Sequence, residues 1–147
     1  GEYPVSITNA SISYDDPDEG LNPQIALDGD YAVGAEGCVV MCVDILGLLK
    51  GDKLKGTGDP KTDKETPGKY NADDLKVELK SIKADGQDVA FDKAKIKYGN
   101  IEDNNNCYRI EIYNDYGDTA KDSPIDKDNL AFEDSLEITF SIEGLSE

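Results

Sequence analysis

The chain has 147 residues, of which 37% are hydrophobic and 32% charged, and it contains no His and no Trp. This length suits one hydrophobic core, so we expect a single domain spanning residues 1–147. The net charge of −17 disfavours nucleic acid and anionic membrane surfaces as partners. The absence of His removes the usual general base near neutral pH, and we expect a protein that is not an enzyme.

Apolar and polar residues alternate with a period of two in the first part of the chain, which predicts strands. One strand is predicted at Val5–Ile7, and two more on either side of a hairpin turn at Asp28-Gly29. Residues 38–45 form a segment that is apolar from Cys38 to Val43 and is bounded by glycines, as expected for a central strand covered on both faces. The run is too short to span a bilayer. Residues 46–49 are compatible with an added helical turn.

Residues 50–70 are rich in Gly, Pro and Lys and contain one large aliphatic residue, Leu54. This composition predicts a long loop. A domain boundary is the alternative, but the 49 residues before it would make a poor core. We therefore favour a loop inside one domain.

Strand patterns resume after the loop. Residues 75–80 alternate, a second hairpin turn is predicted at Asp85-Gly86, and a further strand is predicted near Ile96 and Tyr98. Residues 107–114 and 136–142 alternate most clearly. About eight short antiparallel strands predict an all-β protein, a β-sandwich of the jelly-roll type.

Three cysteines are an odd number, which argues against a complete disulfide framework. Cys38 and Cys42 lie on one predicted strand, ~13 Å apart at ~3.3 Å per residue, too far to bond each other. Cys107 could pair with either of them. We favour three reduced, buried cysteines that act as small hydrophobic residues.

Acidic turns offer hard oxygen ligands for calcium, although no segment matches the EF-hand pattern because Gly20 occupies its fifth ligand position. Solvated turn carboxylates are the favoured interpretation, and otherwise no cofactor is expected. The calcium candidates are Asp15, Asp16, Asp18, Glu19, Asp28 and Asp30.

The segment 107–117 holds three of the eight tyrosines and the only arginine. If Ile110 and Ile112 face the core, then Arg109, Glu111 and Tyr113 stand in a row on the outer face. A flat ring beside a planar cation and a carboxylate suits a neutral sugar chain, which stacks on the ring and exchanges hydrogen bonds with the charged groups. A cross-strand tyrosine pair with a surface Arg–Glu ion pair is the alternative. The predicted carbohydrate-binding residues are Tyr113, Arg109, Glu111, Tyr116 and Asn114.

Four sequence segments together resemble a known family, and they lie at residues 29–33, 79–89, 109–117 and 136–142. They are similar to the β-sandwich carbohydrate-binding modules of plant-fibre-degrading enzymes and cellulosome components from anaerobic gut and rumen bacteria. The resemblance covers about residues 24–143. It implies a secreted, non-catalytic, monomeric module that binds plant cell-wall polysaccharide and works beside other modules. It also implies a ligand-stacking aromatic residue in the stretch Tyr113–Tyr116.

The lack of Trp departs from modules of this kind that bind cellulose, xyloglucan or mannan. The charge of −17 also counts against polyuronate ligands. A cohesin-like or other protein-binding or structural scaffold module, in a cellulosome or a cell-surface adhesin, is therefore the alternative function. Tyrosines in a shallow groove would favour a glycan, whereas a flat face of small apolar and amide residues would favour a protein partner.

Overall fold

Strands dominate the computed structural model, which describes residues 2–8, 12–13, 22–26, 31–34, 40–46, 48–53, 65–101, 107–114, 116–126, 130–132 and 135–145. Within these residues the one α-helix is a single turn, and two short 3-10 helices accompany it, so the all-β prediction is confirmed. The strands are β1 (Glu2–Thr8), β2 (Ile12–Ser13), β3 (Asn22–Ala26), β4 (Tyr31–Gly34), β5 (Val40–Leu46), β6 (Lys50–Lys53), β7 (Glu65–Pro67), β8 (Lys76–Ala84), β9 (Gln87–Asp88), β10 (Lys97–Gly99), β11 (Tyr108–Asn114), β12 (Ala131–Phe132) and β13 (Ser135–Glu143). The helices are α1 (Asp118–Lys121) and the 3-10 turns Ala72–Asp74 and Lys93–Lys95.

One sheet has four antiparallel strands in the order β1-β13-β8-β9. Strand β13 alternates as predicted: Leu136, Ile138, Phe140 and Ile142 are buried, whereas Glu137 between them is exposed. The period-two pattern of this strand therefore identified its core face correctly.

A β-bulge in β8 keeps its apolar residues on the core face. Phe140 lies opposite Leu79 but Thr139 lies opposite Ser81, so Lys80 is an extra residue on β8. Strict alternation from Leu79 would place Ile82 on the outer face, and the extra residue returns it to the core, where it is 1% exposed.

Both predicted hairpins form. Asp85 and Gly86 have φ values of 51° and 79°, the left-handed conformations that a two-residue turn between β8 and β9 requires. Strand β3 pairs with β4 in antiparallel register, with Ile25 opposite Tyr31. The Asp28-Gly29 turn between them lies outside the described residues.

The second sheet has the strand order β10-β11-β5-β3-β4 and is mixed, because β3 runs parallel to β5. Its other pairings are antiparallel. Residues 41–45 of β5 are all buried, which confirms the prediction of a central strand covered on both faces.

The ends of the predicted 50–70 loop are structured, which corrects that prediction. Strands β6 and β7 pair with each other, and Leu49 forms a bridge with Tyr70. A Cβ at Gly68 would overlap the carbonyl oxygen of Leu49, so this close approach requires glycine. Leu48 and Leu49 are not helical, and residues 54–64 lie outside the described residues.

One apolar cluster of the described residues contains buried side chains from both large sheets. The four-stranded sheet contributes residues such as Leu79, Ile138 and Phe140. The five-stranded sheet contributes residues such as Val43 and Ile110. No helix in the described part of the chain is long and apolar enough to cross a membrane.

We expect Ile138→Ala to lower the free energy of unfolding by about 2–5 kcal/mol, because it leaves a cavity in the shared cluster. Urea denaturation followed by circular dichroism measures the change. Glu137→Ala on the same strand is the control, with an expected effect within about 0.5 kcal/mol. Equal effects of the two substitutions would contradict this assignment of the core.

Candidate functional site

The centre of the five-stranded sheet holds a buried ion pair. Asp44 on β5 lies directly opposite Arg109 on β11. The Arg109 Nε donates to Asp44 Oδ1 at 2.6 Å, and Nη2 donates to Oδ2 at 3.0 Å. The Asp44 side chain is fully buried and that of Arg109 is 5% exposed. The planar guanidinium thus meets the carboxylate through two parallel hydrogen bonds, the strongest geometry for such a pair.

This placement corrects the prediction that Arg109, Glu111 and Tyr113 form a row on an exposed face. All three are buried, with exposed fractions of 4%, 3% and 1%. Residues that face each other across an antiparallel pair share a side of the sheet, so Arg109 and Glu111 lie on the side of Asp44 and Cys42. That side of β11 is covered rather than open to a ligand.

Tyr113 lies on the opposite side of the sheet from Arg109 because β11 contains a bulge. Glu111 pairs with Cys42 and Tyr113 pairs with Met41, so Ile112 is an extra residue. Tyr113 therefore shares a face with Met41 and belongs to the apolar core. A stacking role for Tyr113 is incompatible with this burial.

The Glu111 carboxylate holds the turn that follows β11. Its Oε2 accepts from the Thr119 hydroxyl at 2.9 Å, and its Oε1 accepts from Asn114 Nδ2 at 3.3 Å. The Thr119 hydroxyl in turn accepts from the Asn114 backbone N–H at 2.8 Å. A Cβ at Gly117 would lie 3.1 Å from Glu111 Oε2, so the chain passes close over the carboxylate. Glu111 thus anchors α1 and the preceding turn to the sheet.

This anchored turn presents Tyr116 to solvent. The Tyr116 N–H donates to Asn114 Oδ1 at 2.9 Å, and the Gly117 N–H donates to the Asn114 carbonyl at 2.9 Å. Tyr116 is 82% exposed. Among the described residues, the other large apolar side chain with substantial exposure is Ile101, at 38%. Of the five predicted binding residues, Tyr116 alone combines an exposed position with a ring able to stack.

The structure describes two of the three cysteines and none of the calcium candidates. Cys42 and Cys107 are buried, and Cys42 Sγ donates to the Tyr113 carbonyl at 3.8 Å. Cys38 lies outside the described residues. All of the proposed calcium ligands also lie outside them, and the described part of the chain contains no group of three or more acidic or cysteine side chains placed to hold a metal.

A cleft of about 540 Å³ lies at the Tyr108 end of β11, opposite the end that leads to the Tyr116 turn, and the strand itself spans about 20 Å at ~3.3 Å per residue. Its volume is within the ~300–1,000 Å³ typical of small-molecule sites. We call it the Tyr108 cleft. It is lined by Asn71, Ala72, Asp73, Leu75, Tyr98, Gly99, Asn100 and Tyr108.

Two tyrosine hydroxyls lie at this cleft. The Tyr98 hydroxyl accepts from the Leu79 N–H at 2.8 Å and so links β10 to β8. Burial raises the pKa of Tyr98, partly offset by that hydrogen bond. Burial also raises the pKa of Tyr108, and nearby Tyr98 and Asp73 raise it further because a second negative charge there is unfavourable. The phenols therefore stay neutral donors at physiological pH.

The sequence pattern missed Asp44, although one signal was available. A single acid inside a buried apolar strand requires a partner, and the chain has only one Arg. The Tyr108 cleft was also missed because its residues come from three separate segments, near residues 71–75, 98–100 and 108. No spacing rule brings such segments together.

Comparisons with protein-family models, with curated proteins and with solved structures found no match. The function proposed below is therefore supported by the chain's own residues and by the resemblance described above.

We expect Asp44→Ala to lower the free energy of unfolding by about 3–5 kcal/mol, because it leaves the buried guanidinium without its carboxylate. Arg109→Lys should also destabilise, since an ammonium cannot reproduce the two parallel hydrogen bonds. Urea denaturation measures both changes. The exposed Lys95–Asp122 pair is the control, and its removal in Lys95→Ala should shift the midpoint far less. A similar shift in all three variants would contradict a special role for the buried pair.

Stability should fall as pH rises above about 10, because the unfolded tyrosines ionise before Tyr98 and Tyr108 do in the folded chain. Their contribution is intact below the unfolded pKa and is lost as pH rises through the higher folded pKa. Denaturant midpoints across this range, with ionisation followed by ultraviolet absorbance, measure the effect. Tyr98→Phe should flatten the alkaline decline. An unchanged slope would show that Tyr98 is not one of the shifted groups.

Proposed function

We propose that the chain is a non-catalytic carbohydrate-binding module for a neutral β-glycan of the plant cell wall, with Tyr116 as the stacking residue. The observation that carries this proposal is the 82% exposure of Tyr116 on a turn fixed by hydrogen bonds that Asn114 accepts. An apolar ring in that position contributes nothing to the core. Its exposure suits a ligand with an apolar face of similar size, such as a pyranose ring.

The fixed turn supports binding because it limits the entropy lost when a ligand docks. Asn114 joins Tyr116 to Glu111, and Glu111 joins both to Thr119 on α1. A preorganised aromatic side chain loses less conformational freedom on binding than one on a free loop. In this proposal Glu111 and Asn114 position Tyr116 rather than contact the sugar, and Arg109 stabilises the sheet beneath.

The chemistry of the described acids supports a non-catalytic role. A glycosidase places two carboxyl groups about 5–9.5 Å apart across its substrate. Asp44 and Glu111 are buried and engaged in hydrogen bonds within the protein. The Tyr108 cleft is lined by one carboxylate, Asp73.

The same proposal includes the packing of the two sheets and the cellular location of the protein. We propose that the two large sheets pack face to face as a β-sandwich of the jelly-roll type, which the shared apolar cluster supports. The resemblance supports a secreted or cell-surface location, a monomer, and work beside other modules of a cellulosome or a fibre-degrading enzyme. The net charge of −17 favours a neutral glycan over a polyuronate.

A cohesin-like or other protein-binding scaffold module is the second candidate, and the outer face of the four-stranded sheet favours it. That face carries paired charges and small hydroxyl residues rather than aromatic rings. Lys83 lies opposite Glu137, Lys76 opposite Glu143, and Ser81 opposite Thr139. These pairs offer ion pairs and hydrogen bonds to a protein partner, and none of them offers a ring on which a sugar chain could stack.

We expect wild-type protein to be retarded in native gels that contain a soluble neutral β-glycan, xylan or mannan, and Tyr116→Ala to lose most of that retardation. Tyr116→Phe should keep most of it, since stacking uses the ring and not the hydroxyl. Affinity gel electrophoresis with chelator and with calcium makes the measurement.

Ile101→Ala is the matched control, because it removes an exposed apolar side chain outside the Tyr116 turn. Circular dichroism should show the same fold for all variants. Wild-type retardation that survives in Tyr116→Ala would reject the site. No retardation by any polysaccharide would reject the module function in favour of the protein-binding candidate, which a pull-down with parent-assembly proteins then tests.

A further inference from the structure

The Tyr108 cleft contains a polar group whose hydrogen-bonding needs are not met by the described protein. Tyr108 is 4% exposed, yet its hydroxyl forms no hydrogen bond with any described residue. A buried phenol hydroxyl ordinarily has a partner, because leaving it unpaired costs free energy. Phenylalanine would fill the same space without that cost. The hydroxyl therefore suits a partner that enters the cleft from outside.

The neighbouring groups show what chemistry that partner needs. The Tyr98 hydroxyl already accepts from Leu79 and keeps its hydrogen for another acceptor. The Asp73 carboxylate is exposed and forms no hydrogen bond or ion pair with a described side chain, so it can accept from a ligand. The amides of Asn71 and Asn100 add donors and acceptors at the rim.

The residues that line the cleft disfavour two other ligand classes, anions and predominantly hydrophobic molecules. No Lys or Arg lines the cleft, and Asp73 repels anions, so phosphates and uronates are disfavoured. The apolar contribution comes from Ala72 and Leu75, which is too little for a predominantly hydrophobic ligand. A ligand that both donates and accepts several hydrogen bonds and carries no negative charge fits best, and its neutral members match the glycan of the proposed function. Such a ligand is a polyol or a neutral saccharide.

A second cleft, of about 450 Å³, differs from the Tyr108 cleft because its lysines are paired within the protein. It is lined by charged residues including Lys80 and Lys93. Both lysines pair with the Glu78 carboxylate, at 3.2 and 3.8 Å. The principal cationic groups of that cleft are therefore already satisfied within the protein, unlike the hydroxyl of Tyr108.

We propose that the Tyr108 cleft is a second binding site, which takes a short neutral saccharide through the hydroxyls of Tyr98 and Tyr108 and the carboxylate of Asp73. The choice of a saccharide rests on the proposed function, whereas the unpaired hydroxyl and the cleft do not. Tyr116 follows one end of β11 and this cleft lies at the other, and the strand between them spans about 20 Å. Two sites on one module bind a polysaccharide more tightly than either alone where one chain reaches both, because the second contact is intramolecular.

The test is a titration of the full 147-residue chain with cellohexaose, xylohexaose and mannohexaose, followed by amide chemical shifts in two-dimensional NMR. One sugar should shift the amides of Asn71, Tyr98 and Asn100 in a saturable manner. Tyr108→Phe should weaken that response at least tenfold without lowering stability, because the hydroxyl has no partner among the described residues and its removal breaks no hydrogen bond there. Glu137→Ala, on the far sheet face, should bind as wild type does.

The two sites can fail separately. Tyr116→Ala should leave the shifts around Asn100 intact, and Tyr108→Phe should leave those around Gly117 intact. Shifts confined to the Tyr116 turn, or an unchanged affinity in Tyr108→Phe, would overturn the cleft proposal while the proposed function stands. Shifts confined to the cleft would support it and reject Tyr116. Hexagalacturonate should cause no shift at the cleft, and equal binding of this anion would also overturn the proposal.

Discussion

The buried Asp44–Arg109 pair sets the register of the central strands on which the rest of the five-stranded sheet depends. Two charges removed from water are stable only when their geometry is nearly ideal, and the two parallel hydrogen bonds at 2.6 and 3.0 Å meet that condition. Sliding β11 by one residue would separate the pair and leave both charges buried alone. The pair therefore selects one pairing of β5 with β11 over its neighbours.

The bulge at Ile112 decides how the two ends of β11 are used. Before it, Arg109 and Glu111 face the covered polar side of the sheet; after it, Tyr113 turns into the apolar core. Glu111 then holds the turn over α1 through Thr119, and Tyr116 is left in solvent. A buried carboxylate thus supports an exposed aromatic ring without contacting any ligand itself. This explains how a stretch rich in polar and aromatic residues is almost entirely buried.

At the other end of β11, a hydrogen bond from β8 to a side chain on β10 helps to form the second candidate site. Strand β9 pairs with β8 at Lys83 and Ala84, and the Tyr98 hydroxyl accepts from the Leu79 N–H further along β8. A side chain thus substitutes for backbone at that point. Tyr98 is thereby held beside Tyr108, whose hydroxyl is available to a saccharide. Both proposed sites depend on buried hydrogen bonds that position them.

Local pattern was sufficient for the strands of the core and for both hairpins, because the period of two and the left-handed turn at Asp85-Gly86 are properties of neighbouring residues. The amino-acid composition by itself determined the high negative charge and excluded any role for a histidine side chain. Local pattern could not reveal the extra residues Lys80 and Ile112, since a bulge is defined by the partner strand and reverses the facing of everything beyond it. Burial of Arg109 and assembly of the Tyr108 cleft likewise depend on segments distant in the chain. Only the tertiary structure brings those segments together.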